Sequence, residues 1–296
     1  MKILGKEISC KGRADVFEIR PIFDVHLGAR NCAEKPLRKI VKEIAENPNI
    51  LWFGGGDLLD CIKPMDKGRF DFDTLPNWIL DDDAVTTREK LNDILAQQRE
   101  RLIDILDPIA SQCLGLIEGN HEFAIRKYHN ENIQKTLCNK LEVPNLTDEM
   151  LIRLTFKRGN LGSAVIIIYA RHGYGGGRTP GAEPNKLARM MDEWEVADIC
   201  FSGHSHTFDI APPKPVLGIP HSGKIPEELT QRYRFAANPG CYIYSHSTGP
   251  STYASRACYP ARPMLTVKAM IKPFAHRVVK GSDIATPHIE LRGITL

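Results

Sequence analysis

Short apolar runs alternate with amphipathic stretches along the first half of the chain. Val16 to Phe23, Ile50 to Phe53 and Leu114 to Ile117 are runs of strand length, and the first two are rich in β-branched and aromatic residues. Between them, Leu37 to Ala45 carries apolar residues at helical spacing and ends near Pro48. A longer helical stretch extends from about Thr86 to Leu106 and stops at Asp107-Pro108, and a further one begins at Asn120-His121. Strand and helix signals in alternation predict a layered α/β architecture. After Met150 strands dominate: Leu151 to Phe156, Ala164 to Ala170, Ile199 to Ser202, Arg234 to Ala236, Met264 to Ile271 and His288 to Ile294, with one helix from Pro184 to Trp194 among them. No internal repeat and no Gly/Ser/Pro linker divides the chain, so residues 1–296 read as a single domain.

Polar residues able to ligate a metal follow these runs in five places. They are Asp24-Val25-His26, Gly56-Asp57-Leu58-Leu59-Asp60, Gly119-Asn120-His121-Glu122, Arg171-His172-Gly173 and Gly203-His204-Ser205-His206. Two divalent ions held about 3.5–4 Å apart need roughly four side chains each, with one carboxylate shared to offset their repulsion. The five clusters supply that set. Imidazoles suit manganese, zinc or iron, whereas magnesium and calcium call for mostly oxygen donors, so two divalent transition-metal ions are the expected cofactors. Each cluster alone has a plainer reading. Asp-x-His is common in loops, Gly54-Gly55-Gly56 could simply end a strand, and Asn120 could cap a helix. The conjunction and order of all five favour a two-metal site.

In that order the clusters resemble the calcineurin-like metallophosphoesterase superfamily, and they span residues 24 to 206, most of the chain. The resemblance implies a four-layer α/β/β/α sandwich of two mixed β-sheets flanked by helices. It implies that Asp24, His26 and His206 hold one metal, that Asn120, His172 and His204 hold the other, that Asp57 bridges them and that His121 is the general acid. Asp60, three residues past the bridging carboxylate, is expected to orient a ligand histidine or a bound water. One departure is Phe23, where many members of the superfamily carry Gly before the Asp. The segments from His172 to Thr179 and from Asn238 to Tyr242 resemble phage and prokaryotic members without a settled substrate.

Composition narrows the setting. The chain has 39 basic and 36 acidic residues, a formal net charge of +3, too small to imply a nucleic-acid partner by itself. Eight cysteines are scattered without a Cys-x-x-Cys pair and no apolar signal segment precedes them, which points to the reducing cytoplasm, with Cys113 and Cys200 as inert core thiols. No apolar run reaches the length of a membrane span. Oligomeric state is not encoded in these patterns.

The chemistry these residues suit is phosphoester hydrolysis. A water held between two metals has its acidity raised toward neutral pH and becomes the nucleophile, while His121 protonates the departing oxygen. Glu122 either tunes His121 or occupies the acid-favouring first turn of a helix, and the second reading is preferred. Arg178, in the Gly-rich stretch Tyr174 to Thr179, is the expected phosphate contact. The loops Cys61 to Asp83 and Ala211 to Gln231 are long enough to overhang the site. Asp24 to Ala29 resembles the first motif of recombination-type DNA exonucleases, which tilts the substrate toward a phosphodiester, a nucleic acid or nucleotide, with Arg126, Lys127, Lys135, Lys186 and Arg189 as a candidate phosphate-tracking surface. The alternatives are a phosphomonoesterase acting through the same site and a non-catalytic metal-binding scaffold.

Overall fold

The computed structural model describes residues 1–66, 68–80, 83–160, 162–175, 179, 181–218, 230–246, 252–256, 260–279 and 282–296. In chain order the elements are β1 (Lys2–Ser9), β2 (Phe17–Ile22), α1 (Glu34–Ala45), β3 (Ile50–Gly54), α2 (Ala84–Asn92), α3 (Ile94–Leu106), β4 (Cys113–Leu116), α4 (Asn120–His129) and α5 (Ile133–Leu141). They continue with β5 (Glu149–Lys157), β6 (Ser163–Arg171), α6 (Ala182–Glu193), β7 (Ile199–Ser202), β8 (Phe208–Ile210), β9 (Lys214–Gly218), β10 (Thr230–Pro239), α7 (Tyr253–Arg256), β11 (Leu265–Val279) and β12 (Ser282–Thr295).

The strands form two mixed sheets. One has the order β12-β11-β2-β3-β4, and the other has the order β1-β5-β6-β7-β10-β8 with β9 paired to β10. Period-two alternation along the strands decides what each face meets. In β3, Leu51 and Phe53 face the second sheet while Trp52 faces the helices, and its indole N–H donates to the Ile109 carbonyl at 2.7 Å. In β6, Ile166 and Ile168 face the first sheet while Tyr169 turns outward to α6.

Three apolar interfaces result, which makes four layers. Leu37 and Ile40 of α1, Leu102 and Ile105 of α3 and Leu137 of α5 pack on Ile22, Trp52 and Leu116 of the smaller sheet. Phe17, Ile19, Phe53, Ile152, Phe156, Ile168 and Phe201 fill the space between the sheets. Leu187, Met190 and Met191 of α6 cover Tyr169, Cys200 and Ala236 on the far side. Each fully buried large side chain contributes about 1.5–3 kcal/mol relative to leaving it in water. The fold is therefore the α/β/β/α sandwich expected above.

One local expectation is corrected, and one strand is added. The stretch from Thr86 to Leu106 is two helices, broken where Asp93 leaves the helical region at φ −125° and ψ 38°. Strand β1 carried no clear apolar signal, because it is a sheet-edge strand paired only with β5 and Ile3 and Glu7 lie exposed. The cysteines behave as expected: Cys113 and Cys200 are buried, and burial pushes both thiols up to about 12. Among the described residues no helix is long and apolar enough to cross a membrane.

The topology sets the position of the site. Strands β2, β3 and β4 run parallel, as do β6, β7 and β10, so the C-terminal ends of each set meet at one edge of the sandwich. Ligand sites in α/β sheets gather at such ends.

Candidate metal centre

All five clusters emerge at that edge. Asp24 and His26 follow β2, Asp57 follows β3, and Asn120 and His121 open α4 after β4. His172 follows β6, and His204 and His206 follow β7. The first two loops are joined side by side: Asp24 N–H donates to the Gly56 carbonyl, His26 N–H to that of Asp57, Leu27 N–H to that of Leu58, and Asp60 N–H back to that of Leu27, at 2.9–3.1 Å.

The backbone at this edge is strained. Asp24, His26, Asp57, His204 and His206 all adopt left-handed conformations, with φ between 47° and 69°. Non-glycine residues there cost about 1–3 kcal/mol each and persist only where the surroundings enforce them. Five of the nine non-glycine residues with positive φ among the described residues are these candidate ligands. The left-handed turn after each strand swings the following side chain across the strand end instead of letting it continue the pleat.

Phe23, the departure from the family pattern, is accommodated by missing side chains opposite. A Cβ on Gly55 would stand 2.2 Å from the Phe23 ring, and one on Gly203 would stand 2.4 Å from it and 2.7 Å from Asp24 Oδ2. Gly119 is needed for a different approach: its Cβ would lie 2.2 Å from Asp57 Oδ1.

The donor atoms converge in overlapping groups, each within 4.8 Å: Asp24 with His26 and His206, His26 with Asp57 and His121, and Asp57 with His172 and His204. In the first, His26 Nε2 and His206 Nε2 approach to 3.1 Å, and Asp24 Oδ1 lies 3.6 Å from His206 Nε2 and 4.0 Å from His26 Nε2. On the other side His172 Nε2 lies 3.1 Å from Asp57 Oδ2, and Asn120 Oδ1 lies 3.0 Å from His172 Nε2 and 2.7 Å from His204 Nδ1. Asp57 Oδ2 is also 3.7 Å from His26 Nε2 and so stands between the two groups. The structure brings all seven expected ligands to one place, with Asp57 at the centre.

The residues fit a pair of cations on two counts. Asp24 is fully buried and its Oδ1, facing both His206 and His172, has no hydrogen-bond partner. An orphaned buried carboxylate oxygen is unfavourable unless a cation or donor meets it. In addition, His172 Nδ1 sits 3.0 Å from the Gly55 carbonyl, which fixes that nitrogen as an N–H donor and makes Nε2 the atom whose proton a cation would displace.

The electrostatics match a centre poised for cations. Burial pushes Asp24 up to about 7, with the charge of Asp57 adding to it against the pull of His172. Burial also acts to raise Asp57, but His172 and His121 outweigh it and hold Asp57 well below the usual range. His172 rises to about 10, since Asp57 and Asp24 overcome the effect of its burial. His26, His204 and His206 are lowered, chiefly by burial and then by neighbouring imidazoles, and so stand neutral.

His121 belongs to the cluster by distance, yet its polar atoms are engaged otherwise. Its backbone N–H donates to Asp57 Oδ1 at 2.9 Å, and its Nδ1 faces the Asp60 carbonyl at 2.5 Å. Burial works to lower it, but Asp57 and Asp60 prevail and raise it above 6.5. The Asp60 carboxylate stands 3.7 Å from His26 Nδ1, so this residue touches both a candidate ligand and the candidate acid.

Two supports were not legible as such in the sequence. Glu122 is buried, and its carboxylate accepts the backbone N–H groups of Asp57, Leu59 and Gly119, each at 3.0 Å. It does sit in the first turn of α4, but it also fastens the Asp57 loop. Behind the last cluster, Ser205 Oγ donates to Glu183 at 2.8 Å, and Asn238 Nδ2 donates at 2.8 Å to both Glu183 and Ser205. With Glu183 and Asn238 buried and Ser205 partly so, this trio holds the peptide between His204 and His206. The only sequence signal for Glu122 is its place at the third position of a helix, and nothing in the sequence joins residues 183, 205 and 238 to one another.

Arg178 lies outside the described residues, as do residues 219–229 of the second long loop. Of the basic candidates, Arg126 is paired with Glu118 at 2.6 Å, and Lys186 donates to the carbonyl of Gly175 at 2.7 Å. Arg171 is paired with Glu193 at 3.4 Å.

No protein-family model matches the chain, and no curated protein matches it. Among solved structures, a conserved uncharacterized protein from Streptococcus pneumoniae, described as a predicted phosphoesterase, shares 13% identity at a TM-score of 0.33, covering 94% of this chain and 99% of that one. Calcineurin-like phosphoesterase YfkN from Bacillus subtilis shares 11% at 0.38, covering 93% and 90%. Vps29 from Entamoeba histolytica, complexed with Zn2+, shares 13% at 0.37, covering 94% and 98%. Likenesses this distant carry no argument about activity; what the site can do follows from its own residues.

Proposed function

We propose that the chain is a dinuclear metal-dependent phosphoester hydrolase of the calcineurin-like type, with residues 1–296 forming one catalytic unit because both sheets contribute donors. The observation that carries this reading is Asp57, placed between two groups of imidazoles while Asp24 Oδ1 stays buried and unpartnered. Asp24, His26 and His206 would hold one ion, Asn120, His172 and His204 the other, and Asp57 would be shared between them. The imidazole-rich set suits manganese, zinc or iron. The ions supply Lewis acidity, which acidifies an attacking water and stabilises charge on the phosphoryl oxygens.

The remaining chemistry belongs to the chain. His121 is held by the Asp60 carbonyl through Nδ1, and Asp57 and Asp60 raise it, which favours the protonated form whose Nε2–H can be donated. As water oxygen bonds to phosphorus and releases a proton to solvent, the bond to the leaving oxygen breaks, and His121 delivers its own proton to the leaving oxygen and regains one from solvent. Glu122 and the Glu183–Ser205–Asn238 trio keep the ligand loops from relaxing. A phosphodiester substrate is favoured because Asn120 is exposed and His204 and His206 are only partly buried, so the centre opens on a face that admits the middle of a substrate as well as an end.

The test is hydrolysis of bis(p-nitrophenyl) phosphate and of p-nitrophenyl phosphate after reconstitution with manganese, zinc or iron. The expected result is turnover of the diester at the higher kcat/KM, abolished in Asp57→Asn. Bound metal without turnover of either ester, in every metal, would sink the hydrolase and leave the scaffold.

A further inference from the structure

Beside the candidate acid lies a groove that the chemistry above does not use. Counting along α4 from His121, the positions on the same helical face are Ala124, Ile125, Tyr128 and His129, three, four, seven and eight residues on. These four form one wall of a cavity of about 290 Å³. The opposite wall is the segment that begins at Cys61, directly after the Asp60 carbonyl that holds His121, and continues through Lys63 and Met65 to Arg69. The two walls therefore begin within one helical turn and one residue of the His121–Asp60 contact and lead away from it. A proton donor stands next to the leaving oxygen, so what lies beyond it receives the leaving group.

The lining states what that group is. Tyr128 and Met65 are 70% and 76% exposed, large apolar surfaces turned to the opening. Arg69 is neutralised by Asp66 at 2.6 Å, but the Lys63 ammonium makes no ion pair or hydrogen bond among the described residues, and Lys127 Nζ stands 5.0 Å over the Tyr128 ring. An aromatic surface beside uncompensated ammonium groups binds a flat ring attached to an anion. The volume suits a single ring system with its sugar, near the lower end of ordinary ligand sites.

We propose that this groove is the leaving-group subsite and that it takes a nucleotide, an aromatic base carrying a further phosphate, from either a short oligonucleotide or a longer single strand. The inference rests on the phosphodiesterase reading above. Lys63 and Tyr128 then set specificity without touching the metals.

The experiment compares the metal-loaded parent with Lys63→Glu and Tyr128→Ala on two diesters. Methyl p-nitrophenyl phosphate releases p-nitrophenolate, a ring without a sugar or a further phosphate, whereas an oligothymidylate releases a nucleotide that carries both. Lys63→Glu is expected to lose about tenfold or more in kcat/KM on the oligothymidylate and less than about twofold on the small diester, and Tyr128→Ala, which meets a ring in both, is expected to lose more on the oligothymidylate than on the small diester. Equal losses on both substrates, or none on either, would overturn the subsite while leaving the hydrolase intact. If the parent hydrolyses neither, fluorescence titration with labelled oligothymidylate decides: binding weakened by Lys63→Glu upholds the groove although hydrolysis has failed, and unchanged or absent binding removes it. Comparing a two-residue with a ten-residue oligothymidylate separates the sources. A tighter fit for the longer chain points to a strand, and equal fits point to a short nucleotide.

Discussion

Replacing Glu122 with Gln leaves the volume of the side chain almost unchanged and removes only charge and one acceptor, so it isolates what the carboxylate does. Oε2 accepts from Asp57 N–H and Gly119 N–H, and Oε1 accepts from Leu59 N–H. The amide oxygen of Gln can keep the first two. Its NH2 then faces the buried Leu59 N–H, and stranding that donor costs about 1–3 kcal/mol. The two surviving bonds become neutral ones, roughly half as strong. Part of this loss is offset, because burial and the neighbouring charge of Asp57 raise Glu122 and Gln is free of that repulsion. The net expectation is a loss of about 2–4 kcal/mol in the metal-free protein, read from urea unfolding. As the stranded donor lies two residues from Asp57, metal affinity should fall by about 10–100-fold in a calorimetric titration. Parental stability together with parental affinity in Glu122→Gln would refute the view that this carboxylate holds the ligand loop.

Three further outcomes follow from the geometry. In the metal-free protein His172 is raised to about 10 and Asp24 to about 7, so both bind protons that a metal must displace. Calorimetry in buffers of differing ionisation enthalpy should show release of about one proton per chain at pH 8, rising toward two as pH falls through 7, with affinity weakening in step. His121→Asn should retain metal while losing about 10²–10⁴-fold in rate on alkyl esters and far less on p-nitrophenyl esters, whose leaving group needs no proton; equal losses on both would remove His121 as the acid. Gly203→Ala should cost about 1–3 kcal/mol by forcing its new methyl against Phe23 and Asp24, and the cost should shrink in a Phe23→Leu background; additive effects in that unfolding cycle would contradict the packing described.

How far the chain announced its own structure differs between its layers. The strands that deliver the ligands were legible because they are buried on both faces and read as unbroken apolar runs, as Ile50 to Gly54 does with every residue buried. The ligands themselves were legible as an ordered set of residue types. Strand β1 was not, since one exposed face and one half-buried face leave it little apolar pattern. The break at Asp93 was not, because helical spacing persists on both sides of a single residue with non-helical angles. The supports of the site were the least visible: Glu183, Ser205 and Asn238 meet across 55 residues of chain, and only the fold brings them together. Nor does a residue's type disclose a left-handed backbone at Asp24, His26, Asp57, His204 and His206, which packing imposes.

The central claim is that two cations share Asp57 and that phosphoester hydrolysis depends on both. Elemental analysis of the reconstituted protein, run beside bis(p-nitrophenyl) phosphate turnover at increasing metal-to-protein ratio, tests it most directly. The account predicts that activity appears only as the second equivalent binds, and that Asp57→Asn retains at most one ion and no turnover. Full activity at one equivalent, or two retained ions and parental turnover in Asp57→Asn, would contradict it.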